Sequence, residues 1–91
     1  MDAEKTLTIP DHVMSRQVGD EAVILDLSSG TYFGLDPIGA RVWQLLADGA
    51  NLQQVVTTLL ADYEVAQEQL QQDVQALVDD LVTRGLVHVS Q

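Results

Sequence analysis

The dipeptide Asp36-Pro37 separates two hydrophobic periods, and this change constrains the fold more than any other feature of the chain. Before it, apolar residues alternate or run in short β-branched stretches. After it, they recur every three or four residues. Aspartate accepts orphan N–H bonds at a helix N-cap, and proline is preorganised for the first helical position, so a helix begins here. The first third of the chain is therefore expected to be β-rich and the remainder helical.

Upstream of the switch, "DHVMSRQV" (11–18) reads as a strand ended by the polar turn Gly19-Asp20-Glu21. In "AVILDL" (22–27), Val23, Leu25 and Leu27 fall on one face and Ile24 and Asp26 on the other. The "SSG" that follows supplies a glycine for the left-handed position of a hairpin loop with a bulge. "TYFGL" (31–35) is then the third strand of an antiparallel meander.

Downstream, Ile38, Val42, Leu45 and Leu46 keep helical period, and Gly49 sits where a helix-ending glycine belongs. Asn51 with Gln54 forms a capping-box pattern that opens a second helix bearing Leu52, Val55, Val56, Leu59 and Leu60. A third helix, about 66 to 84, carries Leu70, Val74, Leu77, Val78, Leu81 and Val82, and Gly85 ends it. "LVHV" (86–89) has the character of a short last strand. Residues 1–10 read as an N-terminal tail and 11–91 as one small domain. Three strands followed by three short, tightly linked helices give an α+β, winged-helix-like architecture.

Winged helices often hold DNA, but the charge argues otherwise here. Fourteen acidic residues against four basic ones give a formal net charge of −10, and no Lys or Arg lies between Arg41 and Arg84. Nucleic-acid affinity comes largely from basic side chains neutralising phosphates, so DNA, RNA and anionic membranes are poor partners. A nucleic-acid-binding winged helix remains as a minor alternative, and it would need a basic recognition helix. A basic peptide or protein surface fits the balance better. The chain has no cysteine, which removes thiol chemistry and suits a reducing cytoplasm. The first ten residues lack the pattern of a signal peptide, and no apolar run approaches the roughly 18 residues that span a bilayer. A cytoplasmic location is the expectation.

Catalytic groups are sparse. His12 and His88 lie near opposite ends of the chain with no metal-ligand spacing, so neither a metal nor a cofactor is expected. Asp79 and Asp80 are adjacent, and neighbours on a helix point about 100° apart, too divergent to converge on one substrate. Gly30, Gly34 and Gly39 lack the lysine and the spacing of a phosphate loop. The chain is not expected to be an enzyme.

A binding surface has better support. On the third helix, Gln69, Asp73, Ala76 and Asp80 run along one flank of the apolar stripe, as an acidic wall beside an apolar floor. A solvated flank is the plainer account of the same residues. The third strand is the last of its meander and so an edge, and "TYFGL" contains neither Lys nor Pro to blunt it. An open edge accepts a further strand from a peptide; cover by a terminus or the last helix is the other possibility.

At this point "SSGTYFGLDPIGARVW" resembles the PqqD-like family, the RiPP recognition elements that bind leader peptides of ribosomally made, modified peptides. The resemblance covers roughly residues 11 to 89. It rests on Leu35-Asp36-Pro37, then Gly39-Ala40 and Val42-Trp43, followed in order by "LLADG", "DYEV" and "DVQALVDDLVTRGLV". Within the family the chain is most similar to the standalone leader-binding proteins of lasso-peptide pathways. Ala66 departs from the pattern, because the family often caps the third helix there with Asp or Ser and alanine cannot accept that bond.

The resemblance implies a leader peptide added along the third strand in a groove walled by the third helix. Carried onto this sequence, the edge is Thr31, Tyr32, Phe33, Gly34 and Leu35, and the wall is Asp73, Val74, Ala76, Leu77 and Asp80. Trp43 and Ile38 match positions that serve packing. The implied partners are a leader peptidase and, as a further candidate, the macrolactam-forming cyclase. The alternative within the family is a chaperone that hands its peptide to a radical enzyme in another modified-peptide pathway.

Overall fold

Asp36 caps a helix, as its place before Pro37 suggests. Its Oδ1 accepts the Gly39 N–H at 2.7 Å, and helix α1 (Pro37–Ala47) follows with proline in its first turn. The computed structural model describes residues 6–89. Residues 1–5 of the expected tail and residues 90–91 of the expected domain lie outside the described residues.

Ahead of α1 come β1 (Leu7–Thr8), β2 (Val13–Val18), β3 (Glu21–Asp26) and β4 (Thr31–Leu35). Behind it come α2 (Leu52–Asp62), α3 (Gln67–Thr83) and β5 (His88–Val89). The expected α+β fold, an antiparallel three-stranded meander followed by three helices, is present, with strand order β2-β3-β4.

Two short strands add to that plan. Leu7 and Thr8, within the segment read as a tail, pair antiparallel with Val89 and His88 of β5. Leu7 is buried in the core, so this clasp joins the two ends of the described chain.

The turns explain the register of the meander. Gly19 adopts φ +65° in a two-residue loop that leaves Val18 paired with Glu21, so Glu21 belongs to β3 rather than to the turn. Gly30, at φ +72°, donates its N–H to the Asp26 carbonyl at 2.7 Å, and Asp26 pairs with Thr31 across the longer loop. Leu27 sits in that loop, outside the strand.

Asp26 organises the loop from its side chain. Its Oδ1 accepts the Ser28 hydroxyl at 2.7 Å and the Ser28 N–H at 2.9 Å, with His12 Nε2 3.9 Å away. The Ser28 hydroxyl bond, chiefly, holds the carboxyl below the ordinary aspartate value of 3.8. A group that binds its proton more weakly when folded adds stability above its unfolded pKa and loses it as pH falls through the lower folded value. Thermal melts between pH 7 and pH 2 should therefore show a steeper acid loss for the wild type than for Asp26→Asn. Parallel curves would remove the carboxylate from the turn's stability.

The faces of the meander are set by what packs behind them. Val13, Ala22, Ile24 and Leu35 are buried and face the helices, while Tyr32, Met14 and Val18 are exposed. The core joins this inner face to Val42, Trp43 and Leu46 of α1, Val55 and Leu59 of α2, and Leu70, Val74, Val78 and Leu81 of α3. Trp43 is thus a core residue, as the resemblance implied.

The helix ends follow the local chemistry. Asn51 and Gln54 form a reciprocal capping box, with bonds of 2.8 and 2.9 Å. Gly49 ends α1 at φ +97°. Ala66 occupies the N-cap of α3 without a side-chain bond, in keeping with its departure from the family pattern.

Candidate functional site

β4 is fixed at one end by its junction with α1. A Cβ on Gly39 would lie 3.1 Å from Asp36 Oδ1 and 3.3 Å from Leu35 Cδ2, so glycine lets the end of the strand lie tight against the first helical turn. Ala22 of β3 pairs with Leu35 and Asp26 pairs with Thr31, which satisfies one side of β4. No described strand pairs with its other side. An antiparallel edge strand directs N–H and C=O groups outward at about half of its residues.

Beside that free edge lies a groove of about 560 Å³ between β4, the start of α1 and α3. Phe33, Gly34 and Leu35 line it from the strand, and Asp73, Val74 and Leu77 line it from α3. The sequence places all six in the site, and the fold brings them together. Its floor is apolar because Leu35 and Val74 belong to the core while Phe33 and Leu77 pack against it half-buried.

The remaining expected site residues sit differently. Thr31 is exposed at the start of β4, beyond the groove. Tyr32 is 70% exposed and points to the opposite face of the sheet, as its in-strand alternation with Phe33 requires. Ala76 does not line this groove; together with Asp79 it borders a second hollow of about 790 Å³ between α2 and α3. That hollow is the larger of the two, but its walls are helical and it adjoins no open strand. Asp80 lines neither hollow and accepts the Arg84 Nε–H at 3.1 Å.

The groove also takes in residues that the sequence reading did not assign to it, Asp36, Gly39 and Leu70 among them, and three more bear on its shape. Ile38, expected to serve packing, is 41% exposed and lines the groove beside Leu35. Val65, in the link before α3, is 44% exposed and lines it as well. Val42 reaches it from one turn further along α1. The signal for Ile38 was its place immediately after Pro37, in a first turn that must pass the end of β4.

Electrostatically the groove is acidic at one end. Asp36 and Asp73 both line it, and Gln69 Nε2 donates to Asp73 Oδ1 at 2.9 Å, which steadies the carboxylate while leaving its charge intact. At the other end, the Arg84 guanidinium carbon lies 4.6 Å from the centre of the Phe33 ring. Among the described residues no cluster of His, Cys, Asp or Glu is arranged to hold a metal ion. No helix among them is long and apolar enough to cross a membrane.

Residues 21–87 match the family of Coenzyme PQQ synthesis protein D (PqqD). The chain belongs to the PqqD family. Two solved structures share its fold closely. TbiB1 in complex with the TbiA(beta) leader peptide is 36% identical with a TM-score of 0.84, over 88% of this chain and 93% of that one. A lasso peptide synthetase B1 complexed with the leader peptide is 29% identical with a TM-score of 0.82, over 90% of this chain and 96% of that one. No curated protein matches the sequence. Family and fold together are those of a PqqD-like RiPP recognition element, as the sequence motifs implied.

Proposed function

We propose that this PqqD-family protein is a non-catalytic recognition subunit that binds the leader peptide of a lasso-type ribosomal precursor. The leader adds as a strand to β4 and lays alternate side chains into the groove against α3. The observation that carries this reading is the coincidence of an unpaired strand edge with an apolar groove along the same strand. The two similar structures, each holding a leader peptide, support it.

The division of labour follows from the chemistry. Backbone pairing supplies affinity that is largely indifferent to sequence, and side-chain pockets supply selection. Thr31 to Leu35 provide the backbone. Val74 and Leu77 provide the apolar wall, with Ile38 and Val65 as exposed apolar lips at one end. Asp73 favours a basic residue of the leader; Ala76 and Asp80 stay outside the groove's lining, and Asp80 acts through Arg84. Bound in this way, the leader is delivered to a leader peptidase, and its core segment is presented to a macrolactam-forming cyclase.

The test is a fluorescence titration of the labelled leader from the same pathway's precursor against wild type and Asp73→Lys. The wild type should bind, more tightly at low salt. The charge reversal should cost roughly tenfold and flatten the salt dependence. Unchanged, salt-insensitive binding by the variant would remove Asp73 from recognition, and no binding by the wild type would defeat the proposal as a whole.

A further inference from the structure

Arg84 stands apart from the other basic residues of the described chain. Arg16 lies on β2, the strand farthest from the free edge, and its register runs through Val23 to Gly34. Arg41 approaches Asp62, with 4.0 Å between Nε and Oδ2. Arg84 alone among the three meets a residue of the groove: it stands just outside the lining, over the Phe33 ring at 4.6 Å. Its position is held from two sides. The ring face attracts the cation, and Asp80, one turn back on α3, accepts its Nε–H at 3.1 Å.

This arrangement leaves the useful part of the side chain unspent. A guanidinium carries five N–H donors in a rigid fork, and the Asp80 bond uses the one on Nε. Among the described residues the terminal nitrogens have no partner, and the side chain is 49% exposed. A fork that is preorganised, charged and outward-facing suits a carboxylate better than any neutral group.

We infer that Arg84, stacked on Phe33 and braced by Asp80, is a specificity-determining residue that selects an acidic side chain in the peptide bound along β4. The assignment rests on the strand-addition reading and deepens it. A residue added opposite Phe33 on the same face has its Cβ about 5 Å from that of Phe33, so an Asp or Glu there, or two residues on opposite Thr31, comes within reach of the fork.

The groove thereby acquires a charge order. Asp73 and Arg84 are eleven residues apart on a helical path, which at 1.5 Å per residue is about 16 Å. An extended peptide covers that in roughly five residues, so same-face positions four to six apart match the two charges. Arg84 meets Phe33, while the groove beyond Phe33 is lined by Leu35 and Asp36 after the strand and by Leu70 and Asp73 earlier on α3, so α3 runs opposite to β4. A peptide antiparallel to β4 then carries its basic residue first and its acidic residue second.

Display selection of random twelve-residue peptides on wild type, Arg84→Gln, Arg84→Lys and Arg84→Glu tests this. The side chain is half exposed, and the α3 C-cap bonds are made by backbone N–H groups, Arg84 donating to the Asp80 carbonyl and Gly85 to the Val82 carbonyl, so thermal melts of the variants should stay close to wild type. Wild-type selections should enrich Asp or Glu at one position, downstream of a basic one. Arg84→Gln should abolish that preference, Arg84→Lys should weaken it, and Arg84→Glu should replace it with Lys or Arg. For one selected peptide, changing that acid to its amide should cost about tenfold in Kd on wild type and nothing on Arg84→Gln. Enriched peptides with no acidic position, or an acidic preference that survives in Arg84→Gln, would overturn the assignment and leave strand addition standing. Enrichment of no peptide by the wild type would sink both.

Discussion

Leu77→Asp is expected to weaken leader binding about a hundredfold while the protein stays folded. Leu77 faces the groove from the middle of α3 and is half-buried in the free protein, so part of its surface is left for a partner to cover. Covering a leucine contributes about 1.5–3 kcal/mol. Aspartate forfeits that and adds the cost of desolvating a charge against an apolar peptide side chain. A loss near 2.7 kcal/mol corresponds to the hundredfold change. Val74 touches the same groove but is 2% exposed, and a charge there would unfold the core before reporting on the ligand. Calorimetric titration with a parallel thermal melt separates the two effects. Thr57→Arg, in the hollow between α2 and α3, should leave affinity unchanged. If Thr57→Arg weakened binding and Leu77→Asp did not, the site would belong to that larger hollow.

The contrast between Leu77 and Ala76 shows what a sequence can and cannot place. Helical period fixes azimuth on α3, so it set Val74 and Leu77 within the apolar stripe and Asp73 at its edge, and all three line the groove. It does not say which neighbour a given flank will meet. Ala76 and Asp80 share the Asp73 flank by angle, yet Ala76 borders the α2–α3 hollow and Asp80 is engaged by Arg84. β4 was legible to the residue because the loop closing at Gly30 and the cap at Asp36 are local chemistry on either side of it. β1 was not, because two residues carry no period and its partner lies at the far end of the chain. Alternation in β3 separated Ile24 from Val23 and Leu25, but only the helices behind the sheet decide that Ile24 is the buried one. Val65 became a groove residue, and Arg84 came to lie over Phe33 at the groove's margin, through the packing of α3 alongside β4, a tertiary fact with no local signature.

Methylating single backbone nitrogens of the leader should give a period-two pattern of losses, the largest effect expected of any change to the ligand. Paired strands lie about 4.8 Å apart, and an antiparallel partner aims alternate N–H groups at its neighbour. A methyl on such a nitrogen removes one hydrogen bond, worth about 0.5–1.5 kcal/mol net, and leaves the opposing β4 carbonyl unsatisfied where the peptide covers it. It also fills the space that pairing requires, so the strand must lift away and neighbouring bonds go with it. Affinity should fall more than about a hundredfold at these positions and less than about threefold at those between, where the nitrogen faces solvent. The side chains are identical throughout the series, so no pocket preference produces the alternation. A helical ligand lying on the same groove would instead lose affinity with a period near 3.6, and one held by side chains alone would show no period. Fluorescence polarisation across eight consecutive positions spanning Thr31 to Leu35 distinguishes the three. A uniform response along that span would rule out β4 as the strand that receives the peptide.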